Sequence, residues 1–211
     1  MVIKLSYSSK MKINKTKVPS FDLQARTSCP GSKLSDDSIV EVCQKCYALK
    51  GSFRWPVVKA VRASNKIDYH RDEWVEEMIV AIRNNEYFRW FSSGDCESSE
   101  LANKILEVIR GTPKTSHWFV TRSDKVQSIR KVYTQIDVLN NVSIRISADH
   151  IGLNNIEREG VNSYVINEED LFEAKRQGIF VCPVSLPGSA QKSCDTCTHC
   201  YGHEKVAYVL H

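Results

Sequence analysis

From residue 56 onward the hydrophobic positions of the chain switch between two periods. Pro56 opens a helix, since proline suits the first helical position, and Val57, Val58, Ala60 and Val61 follow it. Trp74, Val75, Met78, Ile79 and Ile82 recur at helical spacing and predict a helix over 72–84, whose early acids suit the positive N-terminal end. Short apolar runs then predict strands at 87–92, 117–121, 142–147, 164–166 and 179–182. Between them lie helical patterns: Leu101, Ile105, Val108 and Ile109, ended by Gly111 and Pro113; Val126, Ile129 and Val132; and 168–177, stopped by Gly178. Such alternation predicts an α/β fold of βα units around a mainly parallel sheet. No low-complexity stretch or long linker interrupts it. The expectation is a single domain over 1–211, with a basic arm (1–28), a body carrying the first cysteine group (29–182) and a C-terminal cysteine-rich segment (183–211) packed over the strand ends.

Composition narrows the class. With 42% hydrophobic and 26% charged residues, the 211-residue chain is ordinary for a soluble globular protein. No apolar run is long enough to span a membrane, and the N-terminus has no apolar core of a secretory signal, so a cytoplasmic protein without membrane contact is expected. The net charge of +4 is too mild to compel a nucleic-acid reading. Lys4, Lys10, Lys12, Lys15 and Lys17 nevertheless precede the first acid, Asp22; this arm is either solvated or a nucleic-acid contact. Arg54-Trp55 with Lys59, Arg62 and Lys66 on the following helix is a second basic candidate, against the alternative of a solvated face.

The residues at the strand ends carry chemistry. The predicted strands run into Ser93-Gly94-Asp95-Cys96, Thr121-Arg122, Ser147-Ala148-Asp149 and Cys182-Pro183. In parallel α/β folds the site forms at the carboxyl ends of strands. Asp95, Arg122, Asp149 and Cys182 are therefore expected on one face, with Asp95, Arg122 and Asp149 as catalytic candidates. The alternative is that Asp95 and Asp149 only cap the helices that follow.

Eight cysteines in a chain without an export signal read first as metal ligands or reactive thiols. Cys182, Cys194, Cys197 and Cys200 end in a C-x2-C-x2-C run with a Cys-Pro upstream, which supplies four thiolates for one [4Fe–4S] cluster. A structural zinc site is the alternative, although zinc more often takes two separated C-x2-C pairs. The first group, Cys29, Cys43 and Cys46, is one ligand short. Asp95 or Cys96 closes it, or a small molecule occupies the fourth iron, or the group holds zinc with His70, His117 or Cys96. Three thiolates and an open iron are the arrangement of radical S-adenosylmethionine enzymes, although C-x13-C-x2-C is not the spacing usual there.

Several segments carry a family resemblance: Ser9-Lys10-Met11, Ala25 to Pro30, Cys43 to Gly51 (CQKCYALKG), Phe88-Arg89-Trp90 leading to Ser93-Gly94-Asp95, Trp118 to Arg122, Ser147-Ala148-Asp149 and the late cysteines. Over about residues 9–200 the chain resembles the phage and plasmid family called gene product 88-like, which brings no established activity. It is also distantly similar to phage proteins with a CxxCYA motif and a radical-SAM-like barrel. That similarity implies a partial TIM-like barrel, iron–sulfur chemistry at its mouth and contact of Ser93, Gly94 and Asp95 with S-adenosylmethionine. The residue after Ser-Gly-Asp is often aromatic in the family and is Cys96 here, which favours Asp95 over Cys96 as the fourth ligand. The reading is thus a protein of two [4Fe–4S] clusters with a redox or radical-SAM-type role in a phage or mobile-element context, served by a small molecule or redox partner. The alternative is a zinc-stabilised, non-catalytic module that binds nucleic acid or protein.

Overall fold

The computed structural model describes residues 3–153 and 158–210. Eight strands form one sheet: β1 (Ser6–Ile13), β2 (Thr16–Phe21), β3 (Tyr87–Trp90), β4 (Ser116–Thr121), β5 (Val142–Ile151), β6 (Val161–Ile166), β7 (Phe180–Val181) and β8 (Val206–Val209). Their spatial order is β1-β2-β3-β4-β5-β6-β8-β7. Among the described residues β1–β2 is the one antiparallel pair of these strands, and their other pairings are parallel. The expected α/β class with a mainly parallel sheet is therefore present. The sheet is open: β1 and β7 are its two edges.

Six helices accompany the strands among the described residues: α1 (Glu41–Gln44), α2 (Pro56–Asp68), α3 (Trp74–Ile82), α4 (Ser99–Gly111), α5 (Gln127–Ile136) and α6 (Leu171–Arg176). The Ser98 hydroxyl accepts the Leu101 N–H at 3.1 Å and so starts α4. Leu101, Ile105, Val108 and Ile109 then face the sheet, as do Trp74, Met78 and Ile82 of α3 and Ile129, Val132 and Ile136 of α5. Alternation along β3 and β4 sends Phe88, Trp90 and Phe119 into this core and Arg89, Trp118 and Val120 to the opposite face. A second apolar cluster, with Ala174 of α6, Tyr164, Ile166, Ala207 and Val209, lies under β6 to β8.

Two boundaries differ from the sequence reading. Residues 6–21 of the basic arm are the β1–β2 hairpin, with Met11, Ile13 and Val18 buried. The lysines hid the strand signal; on an edge strand they discourage pairing with another chain. Residues 206–209, expected within the C-terminal cysteine-rich segment packed over the strand ends, form β8 between β6 and β7. Four residues beside a Cys/Gly/His-rich stretch are too short a signal for a strand that packing selects.

Candidate functional site

A staircase of buried polar clamps joins the carboxyl ends of β2 to β5. Asp22, just past β2, accepts Ser92 N–H at 2.6 Å and Ser93 N–H at 3.3 Å, and its Oδ2 lies 2.7 Å from the Ser92 hydroxyl. Asp95, just past β3, accepts the Thr121 hydroxyl and Cys96 N–H at 2.8 Å and Arg122 N–H at 2.9 Å. Arg122, just past β4, donates to the Ala148 carbonyl at 2.7 and 3.1 Å, and its Nε is 3.5 Å from Asp149. Asp149 also pairs with Lys125 at 2.6 Å and Arg158 at 3.6 Å. Asp95 and Arg122 thus lie just past their strands, as predicted, and Arg122 links them to Asp149, which sits inside β5 because that strand runs on to Ile151 rather than ending at Ser147. Asp22 was missed; its signal, an acid directly after a strand-ending Phe21, was masked by the overlooked β2.

Backbone shape serves these clamps. Phe91 takes φ +61°, which a bulky residue adopts only when its surroundings impose it, and so turns Ser92 and Ser93 toward Asp22. Gly94 has φ +77°, and a Cβ there would meet Ser28 Oγ at 2.6 Å and the Leu23 carbonyl at 2.7 Å. The segment that leads to Cys29 lies against this turn, since Asp95 N–H donates to the Ser28 carbonyl at 3.1 Å. Gly31 lets the turn after Cys29 rest on the Arg122 carbonyl, where a Cβ would overlap it. The Tyr47 hydroxyl donates to the Ser92 carbonyl at 2.7 Å and ties down the Cys43–Cys46 loop.

The first three cysteines share one charge neighbourhood at this end of the sheet. Burial pushes the Cys29 thiol far up, and the nearby Asp95, Cys43 and Cys46 add to the rise. Burial also raises Cys43, against the lowering field of Arg122. Burial raises Asp95 as well, opposed by the hydrogen bonds it accepts. Ser93 Oγ and Asp149 Oδ1 are buried without a hydrogen-bond partner. Cys96 is elsewhere. It is fully buried in the core beneath the helices, its thiol 3.3 Å from the Ser98 carbonyl, which corrects its candidacy as the fourth ligand. His117 is in the same core, between Trp90 Nε1 at 3.3 Å and Thr112 Oγ1 at 2.8 Å, and burial lowers it to about 3. His70 sits on the surface against Glu100 at 3.1 Å. Neither histidine accompanies the cysteines.

The late cysteines form a separate set. Cys182, Cys194, Cys197 and Cys200 line one cavity with Met11, Ile13, Phe180 and Tyr201. Burial raises Cys194 to about 12, and Cys200, Cys182 and Cys197 reinforce it. This set does not share the clamp staircase. Its segment leaves β7 at Cys182 and crosses to β1, where Cys194 N–H donates to the Lys10 carbonyl at 3.0 Å and Asn14 N–H to Asp195 at 2.9 Å. It covers the sheet face opposite the helices: Tyr201 packs on Tyr87 and Trp118, and buried Arg145 donates to the carbonyls of His199, Cys200, Gly202 and Glu204. The expectation that both groups would sit together over the carboxyl ends is corrected to one group there and one bridging the two sheet edges. All eight thiols are free of disulfides, and among the described residues no group of three or more His, Cys, Asp or Glu side chains is arranged to hold a metal ion.

Fold and site together define a cysteine-rich α/β protein with a mostly parallel open sheet and two separate thiol sets. The chain belongs to the gene product 88 family, whose model matches residues 3–203. Neither a curated protein nor a solved structure matches it. Among the described residues no helix is long and apolar enough to cross a membrane.

Proposed function

We propose that the chain is an iron–sulfur protein that holds one [4Fe–4S] cluster on Cys182, Cys194, Cys197 and Cys200 and a second on Cys29, Cys43 and Cys46. The carrying observation is the partition of seven thiols into sets of four and three, with the four arranged around a cavity. Buried thiols with raised pKa values are poor anions alone, and a bound metal centre draws off their protons. A cavity ringed by donors suits a cluster, whose irons each need a terminal thiolate, better than a point-like ion. Bound clusters supply one-electron chemistry in either set.

The three-thiol set leaves one corner for Asp95 or for a small molecule. The buried Ser93 Oγ, which has no hydrogen-bond partner, favours a small polar ligand there, and S-adenosylmethionine is the candidate that the distant resemblance to radical-SAM-like phage proteins suggests. In that reading Ser93 and Gly94 hold the ligand and Arg122 neutralises a carboxylate. A partial barrel, with the late cysteine loop spanning its gap, is the architecture that accords with this chemistry. A reducing compartment such as host cytoplasm suits eight free thiols.

Anaerobic purification followed by iron, sulfide and zinc analysis tests the proposal. Two cubanes give about eight irons with matching sulfide and a broad brown absorbance. Zinc without sulfide overturns it and selects the zinc-stabilised binding module. An unchanged EPR spectrum of the reduced protein on adding S-adenosylmethionine, with no 5′-deoxyadenosine formed, removes the radical version and leaves a redox carrier.

A further inference from the structure

Between Glu41 and Asp68 the chain carries six basic residues and no acid. Arg62 is buried, donating to the Phe53 carbonyl at 3.1 Å, and Lys66 is paired with Glu97 at 2.8 Å. The other four, Lys45, Lys50, Arg54 and Lys59, are exposed and make no ion pair among the described residues. Two large aromatics stand in the same segment, Tyr47 at 56% and Trp55 at 60% exposure. Neither is a loose side chain on a loose loop. Tyr47 is anchored by its hydroxyl on Ser92 and by an edge contact with Phe53 at 5.4 Å, and the Phe53 ring lies 5.0 Å from the Arg62 guanidinium. Trp55 precedes α2, and Lys59 N–H donates to its carbonyl at 3.0 Å, so cation and ring share the first turn.

The helix that follows is inside out. Its buried positions are Arg62, Asn65 and Asp68, and Asn65 donates to the Asp22 carbonyl at 3.0 Å. Val57 and Ile67 point outward at 66% and 71% exposure. The buried polar face of this helix thus leaves Trp55, Val57 and Ile67 in water beside cations that make no ion pair among the described residues. Stacking surfaces beside backbone-tracking cations are the chemistry that binds unpaired bases and their phosphates. A duplex hides its base faces and offers such rings nothing to stack on.

We infer that Lys45, Tyr47, Lys50, Arg54, Trp55 and Lys59 form a docking surface for single-stranded nucleic acid, separate from the lysines of the β1–β2 hairpin. This surface stands independently of whether the cysteines hold iron or zinc.

Trp55 provides the readout. It is the one exposed tryptophan of four, because Trp74, Trp90 and Trp118 are 0–3% exposed. A base stacked on it quenches the intrinsic fluorescence of the full chain as purified. The probes are 20-nucleotide oligo-dT and oligo-rU, with a 20-base-pair duplex and anionic lipid vesicles as controls. The expected result is quenching by the single strands, with a log K against log[salt] slope of about −3, the value for four cations on a single strand. Trp55→Ala weakens anisotropy-detected binding roughly 5- to 150-fold, the range for loss of one stacked base. Arg54→Glu makes the slope shallower, and Lys15→Glu in the hairpin leaves binding unchanged. All three positions are exposed, and matching thermal melts confirm that the variants stay folded. Absence of binding at low salt overturns the inference. So do equal affinity for duplex, binding to vesicles alone, or a larger loss from Lys15→Glu than from Arg54→Glu.

Discussion

Asp95 has two competing descriptions, a ligand that closes the first cysteine set or a clamp that fastens β3 to β4, and substitution separates them. Its carboxylate accepts three buried donors at 2.8–2.9 Å. Replacement by alanine strips partners from Cys96 N–H, Thr121 Oγ1 and Arg122 N–H together. Hydrogen bonds to a charged group contribute about 1.5 kcal/mol each at the low end, so the gross loss is about 4–5 kcal/mol. Relief from burying a carboxylate whose pKa is raised offsets part of this, leaving a net loss of about 3 kcal/mol. Asparagine keeps the Oδ1 acceptor for Thr121 and Cys96 but sets an NH2 group against Arg122 N–H, for a loss of about 2 kcal/mol. Both are large against a total stability of about 5–15 kcal/mol. Urea unfolding followed by fluorescence of the buried Trp74 and Trp90 measures them, with stability falling from wild type to Asn to Ala. If Asp95→Asn instead matches wild type within about 0.5 kcal/mol while losing iron from the three-thiol set, the clamp argument fails and Asp95 is a ligand.

Other sites test the same framework. Arg145→Met leaves four carbonyls of the late cysteine segment without their buried donor, and a loss of at least about 3 kcal/mol is expected, with amide exchange at Cys197 to Cys200 rising in mass spectrometry; unchanged exchange there would separate Arg145 from the segment's order. Gly31→Ala drives a methyl into the Arg122 carbonyl and is expected to cost about 1–3 kcal/mol by overpacking, measured by urea unfolding; stability equal to wild type would refute the close approach. His117 is held neutral by burial, with its pKa lowered to about 3. The unfolded chain, titrating near 6.5, therefore binds the extra proton first. Its stabilising contribution is complete above about pH 6.5 and falls by about 2 kcal/mol by pH 5. His117→Gln flattens that part of the stability–pH curve, measured by urea melts at the two ends; an unaltered slope contradicts the assignment.

The sequence made the βα body legible because its elements repeat a strong pattern. Leu101, Ile105, Val108 and Ile109 mark α4 by period alone, and the alternation of Phe88 and Trp90 with Tyr87 and Arg89 marks β3. The hairpin was not legible, because Lys10, Lys12, Lys15 and Lys17 dominate a strand pair whose few buried residues are spaced by exposed ones. The strand-end rule placed Asp95 and Arg122 together, since parallel strands deliver their following residues to one end, whereas Asp149 joins them from inside β5. That rule does not locate Cys194 to Cys200, which follow a long irregular segment rather than a strand. Cys96 shows the limit of adjacency: one residue past Asp95, it turns to the other side of the sheet and into the core.

The position of the late loop has a consequence for assembly. β1 and β7 are the first and last strands in spatial order, and neither pairs with the other. The segment that leaves β7 at Cys182 pairs briefly with β1 through Ile13 and Asp195. Its four thiols therefore sit where the sheet's two edges are joined by loop rather than by strand ladder. A centre bound there cross-links residues from both sides of the gap, and metal-binding free energy becomes folding free energy for this closure. The first set has no such duty, because Asp22, Asp95 and Arg122 already fasten the strand ends with protein groups alone. Under the proposed function the four-thiol set is then the structural staple and the three-thiol set the exchangeable site. Chelation is expected to melt the β1–β7 side first, visible as exchange at Lys10 to Asn14, while the β3–β5 core keeps its protection. The reverse order, with the core opening before the hairpin, would sink this division of labour.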